Sequence, residues 1–87
     1  MGFLEEREKR IGLLIALSVK NSLTPDSVAF CDFILKASAA KFAVTRQTAK
    51  GYVDTLLSCW RWGRWKEQIK TNNNLTQEEK DRWIKEH

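Results

Sequence analysis

Apolar residues recur along most of this chain at three- and four-residue intervals, the period of a helix that buries one side. From about Phe3 to Asn21, Leu4, Ile11, Leu14, Ile15 and the run Leu17 to Val19 make a wide apolar face and predict a mostly buried first helix. Glu5, Glu6 and Glu8 in its opening turns and Lys20 at its end suit the helix dipole. Leu13 and Leu17 are surplus to that face and predict a contact with a second copy. Asn21-Ser22-Leu23 breaks the pattern, and Thr24-Pro25 restarts it with an N-cap hydroxyl and a proline at the first helical position. A second helix is therefore expected from Pro25 to about Lys41. Its Val28, Phe30, Cys31, Phe33, Ile34, Leu35, Ala37 and Ala39 are expected to supply most of the core.

A third helix is predicted from Thr45, as N-cap, at least to Ser58, with Ala49, Tyr52, Val53, Leu56, Leu57 and Trp60 on one side. Trp62-Gly63-Arg64-Trp65 admits two readings. It fits a two-residue hairpin turn with Gly at the first central position; equally, Trp62, Trp65 and Ile69 share a helical face in a stretch rich in helix formers. Helix is the preferred reading. Thr71 to Asn74 end that element, with Asn suited to a left-handed cap. Thr76 and Glu79 then form a capping box for a last helix, with Leu75 as a hydrophobic staple and Trp83 and Ile84 facing inward. The pattern as a whole predicts one all-α domain over residues 1–87: a three-helix core with one or two additional C-terminal helices. The alternative is a winged variant with a short hairpin at 60–69.

Composition places the chain among globular domains, at 43% hydrophobic and 30% charged residues. The longest nearly apolar run, Ile11 to Val19, falls far short of the roughly 20 residues that span a bilayer. The opening residues put acids where a secretory leader needs bases, so no membrane partner is expected and the chain is read as cytoplasmic, nucleoid-associated if prokaryotic. Cys31 and Cys59 sit in apolar helical phases and are expected to be buried free thiols. With His87 as the sole histidine, a zinc site lacks ligands. No cofactor or small-molecule ligand is expected. Without a second histidine, a glycine-rich phosphate loop or a nucleophile beside a base, neither is catalysis. Asp26 and Asp32 are read as surface residues.

Charge is unevenly spread. Residues 1–40 hold five Lys/Arg against five Asp/Glu, residues 41–70 seven against two, and residues 71–87 three against four. The whole basic excess therefore lies on or just after the third helix, where a polyanion would dock.

That helix follows the pattern Ala39-x3-Ala43-Val44-Thr45-x2-Thr48-Ala49-x3-Val53. Residues 35–54 resemble the helix-turn-helix DNA-binding unit shared by many repressors and winged-helix regulators. The resemblance implies a small residue, Ala39, where the two helices cross, and a turn at Ala43, where the family prefers Gly. Ala there pays roughly 1 kcal/mol if φ is positive. Val44 matches the buried turn position, Thr45 the N-cap, and Ala49 and Tyr52 the inward positions. Helical geometry then turns Arg46, Gln47, Lys50, Gly51 and Asp54 outward. Arg46 and Gln47, in the first turn, are expected to read guanine and adenine. Lys50, Thr45 and Thr48 are expected to meet the backbone, and Gly51 to permit close approach to a surface. Lys41, at the end of the preceding helix, joins this set. Arg61, Arg64, Lys66 and Lys70 are expected to contact phosphates, while Trp60 and Trp65 are core.

The expected function is that of a small DNA-binding protein that inserts the helix starting at Thr45 into the major groove of double-stranded DNA. A transcriptional regulator acting as a homodimer is its simplest form. The alternative is a protein-protein interaction module of a larger nucleic-acid-processing assembly that uses the same fold.

Overall fold

A computed structural model of the protein describes residues 3–87. Five α-helices follow one another: α1 (Phe3–Lys20), α2 (Phe30–Phe42), α3 (Arg46–Arg61), α4 (Trp65–Lys70) and α5 (Gln77–Glu86), with no strand among the described residues. The all-α class is as expected, and the winged alternative with a hairpin at 60–69 is overturned, since α3 and α4 occupy that stretch. α2 and α3 pack most extensively on each other, and α1 touches each of the other four helices. Leu14 and Ile15 of α1, Phe30 and Ile34 of α2, Leu56 of α3, and Trp65 and Ile69 of α4 form one core with at most 2% of any of them exposed. Leu75 and Trp83 close it from the C-terminal side.

Helix ends follow local chemistry. α1 stops at a Schellman turn in which Ser22 takes φ 57°, the Leu23 amide donates to the Ser18 carbonyl (2.9 Å) and the Ser22 amide to that of Val19 (3.1 Å). The same device divides Arg61 from Trp65. Gly63 sits at φ 72°, its amide donates to the Trp60 carbonyl (3.0 Å), and the Arg64 amide donates to that of Cys59 (2.9 Å). Residues 60–70 are thus neither one continuous helix nor a hairpin, because glycine accepts the left-handed conformation that closes α3 and redirects the chain into α4. The capping box forms as expected: the Glu79 amide donates to Thr76 Oγ1 (3.1 Å) and the Thr76 amide to Glu79 Oε1 (2.9 Å). The Thr76 amide, with help from the Lys20 ammonium, holds the Glu79 carboxyl below the usual carboxylate range.

Three expectations about α2 and the loops are corrected. The second helix begins at Phe30, not Pro25. Thr24 spends its hydroxyl on the Asp26 carboxylate, Ser27 Oγ accepts from the Thr24 amide, and the Ser27 amide donates to the Thr24 carbonyl. These local bonds hold a turn in place of the first helical turn. Val28 and Cys31 are consequently exposed rather than core, while Cys59 is half-buried and both thiols are free. Ala39 is also exposed; the small residue inside α2 is its neighbour Ser38. Finally, no residue from Asn72 to Asn74 is left-handed. Buried Asn72 instead donates Nδ2 to the Gly12 carbonyl (2.9 Å) and accepts the Asn74 amide (2.8 Å), tying the α4–α5 loop to α1.

Between α2 and α3 lie only Ala43, Val44 and Thr45. Ala43 takes φ 54°, ψ 36°, and its amide donates to the Ala39 carbonyl (3.1 Å). An alanine here bears the left-handed strain of roughly 1 kcal/mol. Ala43→Gly is expected to relieve it, partly offset by the freer unfolded chain. The net gain should be about 0.5 kcal/mol, a rise of about 2–4 °C in thermal midpoint by circular dichroism. A lower midpoint would show that the turn does not need a positive φ.

Candidate nucleic-acid interface

α3 has two unlike sides. Ala49, Tyr52, Val53 and Leu56 are buried. Opposite them, at spacings of three and four, run Gln47, Lys50, Gly51, Asp54, Ser58 and Arg61. Thr45 is the N-cap: its Oγ1 accepts the Thr48 amide (3.2 Å) and donates to the Thr48 hydroxyl (3.2 Å). The Thr48 hydroxyl proton is thereby left for an outside acceptor. Thr45, Arg46, Gln47, Thr48 and Lys50 are all exposed, and Gly51 is half-buried. Lys41, exposed in the last turn of α2, flanks the turn that delivers them.

The basic residues fall into separate groups. Arg46 and Arg61 stand at opposite ends of α3, roughly 22 Å apart along its axis at 1.5 Å per residue. Arg61 and Arg64 flank the exposed elbow at Gly63, beside Trp62, whose indole is 75% exposed. Lys66 and Lys70 are exposed on α4, beyond that break. Trp65 is core and Trp60 half-buried, packed edge-on against it with centroids 6.0 Å apart. Among the described residues, ion pairs join Arg10 to Glu6, Lys20 to Glu79, Lys36 to Asp32 and Arg82 to Glu78. None involves Lys41, Arg46, Lys50, Arg61, Arg64 or Lys66. Arg64 lines a groove of about 490 Å³ together with Ile11, Thr55, Cys59 and Trp62. Burial pushes the Cys59 thiol up, against a downward pull from Arg64.

Gly51 has no internal reason to be glycine. It sits in regular helix, and a Cβ built there would meet nothing within 4 Å. Elsewhere, a helix-interior glycine costs about 1 kcal/mol relative to alanine.

Two arginines on α1 also reach this helix, and the sequence reading missed them. Arg7 Nη2 donates to Thr55 Oγ1 (2.8 Å) and to the Gly51 carbonyl (3.4 Å), with its guanidinium 5.7 Å from the Tyr52 ring centre. Arg10 Nη1 donates to the Tyr52 hydroxyl (3.0 Å), and its guanidinium lies 5.2 Å from the Phe42 ring centre. The Tyr52 hydrogen bond raises the already high pKa of Arg10; burial opposes it and Glu6 adds to the rise. The available signal was spacing: Arg7, Arg10 and Leu14 fall on one face of α1, and cations on a packed face are held by something.

Within the described residues no helix is long and apolar enough to cross a membrane. No family model, curated protein or solved structure matches the chain.

Proposed function

We propose that this is a small DNA-binding protein that lays the outward row of α3 into the major groove of a duplex, as a helix-turn-helix unit does, and regulates transcription. Arg46 and Gln47, in the first turn, read base edges. Lys41, Thr48 and Lys50 meet adjacent phosphates, and Arg61 and Arg64 meet the backbone further along. A single unit reads few base pairs, so two copies act together on a two-fold symmetric site.

One observation carries the reading: the first turns of α3 expose Arg46 and Lys50, neither in an ion pair among the described residues, together with Gln47, beside a glycine the fold does not require. The left-handed Ala43 and the Thr45 cap support it by matching the turn such a unit needs. Asp54 is the acid within this row; there it repels phosphate and accepts a hydrogen bond from cytosine N4. A second reading, a protein-interaction module of a nucleic-acid-processing assembly, would use the exposed indole of Trp62 as its anchor.

Binding to a panel of duplexes separates the roles. Arg46→Ala or Gln47→Ala should relax sequence preference by about 1–3 kcal/mol at one position each. Lys50→Ala and Arg64→Ala should weaken all duplexes alike and make the dependence of log affinity on log salt shallower by about 0.9. Equal, sequence-independent losses from all four would remove the base-reading role and favour architectural binding. No retention of any duplex by the unaltered protein at low salt would favour the interaction module.

A further inference from the structure

Arg7 and Arg10 both lean from α1 onto α3, but their charges are treated differently. The Arg10 guanidinium is compensated by the Glu6 carboxylate at 3.4 Å. Among the described residues no carboxylate lies within ion-pair distance of Arg7. Its contacts are neutral: Thr55 Oγ1, the Gly51 carbonyl and the face of Tyr52. Thr55 Oγ1 itself donates to the same Gly51 carbonyl (3.1 Å), so hydroxyl and guanidinium are locked to one point of the α3 backbone.

Both hydrogen bonds of Arg7 leave from Nη2. Of the five donors on a guanidinium, the two on Nη1 and the one on Nε remain. The side chain is half-buried, so its fork is held in one orientation while part of it stays open to solvent. Beside it, the helix surface over Gly51 is empty to at least 4 Å from where a Cβ would be. A cation whose hydrogen bonds go only to neutral groups keeps its charge and its remaining donors for an anion. A phosphate diester suits both halves of this arrangement: its charge pairs with the fork, and its bulk fits over a backbone that carries no side chain.

We infer that Arg7 and the bare backbone at Gly51 form a seat for one phosphate of the duplex backbone, so that α1 takes part in the interface. The inference rests on the DNA-binding reading above. An arginine already immobilised by its own protein loses little rotamer freedom on binding, which favours it over an unrestrained surface lysine.

The test is duplex affinity against salt concentration for the intact protein, Arg7→Gln and Arg7→Lys, with folding followed by circular dichroism. Arg7→Gln should lower affinity about 5- to 10-fold and make the log–log slope shallower by about 0.9, the share of one phosphate. Arg7→Lys keeps the charge and should keep the slope, with an intermediate affinity. Because Arg7 also ties α1 to α3, the side-chain Nε resonance of Arg7 is followed in the ¹⁵N-labelled unaltered protein as a 20-base-pair duplex is added; it should shift and its solvent exchange should slow. If the protein binds duplex while that resonance stays put and Arg7→Gln keeps the slope, the seat is refuted and the DNA-binding reading stands. If the unaltered protein retains no duplex at low salt, both are refuted.

Discussion

Trp65→Ala is expected to remove about 3–5 kcal/mol of stability, the range for deleting a buried tryptophan. The residue begins the short helix α4, is 2% exposed, and meets Phe30 and Trp60 edge-on at centroid distances of 6.1 and 6.0 Å. Its ring packs α4 on Phe30 of α2 and Trp60 of α3, so its loss loosens both contacts together. A domain of this length has only about 4–13 kcal/mol to lose, and the thermal midpoint should fall by more than about 12 °C. Trp62→Ala is the internal comparison. Its indole is 75% exposed, so the change should stay within about 0.5 kcal/mol. Similar small losses at both positions, measured by denaturant unfolding, would mean that the break at Gly63 does not send Trp62 outward and Trp65 inward.

Gly51→Leu is expected to move stability and binding in opposite directions. With nothing within 4 Å of the added Cβ, the fold should accept the side chain and gain about 0.5–1 kcal/mol from helix propensity. On a duplex the same side chain stands between α3 and the surface it approaches. Base contacts require about 2.7–3.2 Å, so lifting the helix by the reach of a leucine breaks those of Arg46 and Gln47 together, a loss of about 2–6 kcal/mol. Higher stability with unchanged duplex affinity would show that the bare backbone at Gly51 serves no interface. Lower stability would mean that the leucine reaches past the open space around its Cβ and displaces Arg7 from the Gly51 carbonyl.

What could be read in the sequence was what short-range chemistry decides. Thr45 and Thr76 cap because a hydroxyl three residues before a free amide is sufficient, and Ala49, Tyr52, Val53 and Leu56 are inward because one period governs them. Ala43 takes a positive φ at the expected turn. The errors arose where local and global preferences compete. Thr24-Pro25 carries the signature of a helix start, yet Asp26 and Ser27 offer bonds that hold a turn instead. α2 is apolar nearly all round, so periodicity alone did not tell the side with Phe30, Ile34 and Ser38 from the side with Cys31 and Ala39. Asn72 looked like a cap, but its amide reaches Gly12, 60 residues earlier in the chain. Arg7 was missed for the same reason, since its partners on α3 lie 44 and 48 residues away. The candidate site was legible as a helix face and a charge excess; the contacts of Arg7 and Arg10 with α3 are a product of packing.

Whether the outward row of α3 meets a duplex is decided by backbone ¹H–¹⁵N resonances recorded while a DNA duplex is added. Shifts and broadening should concentrate from Thr45 to Asp54, with smaller changes at Arg7, Lys41 and Arg61. Shifts gathered instead on α5, or spread evenly at the lowest salt, would rule out docking through α3.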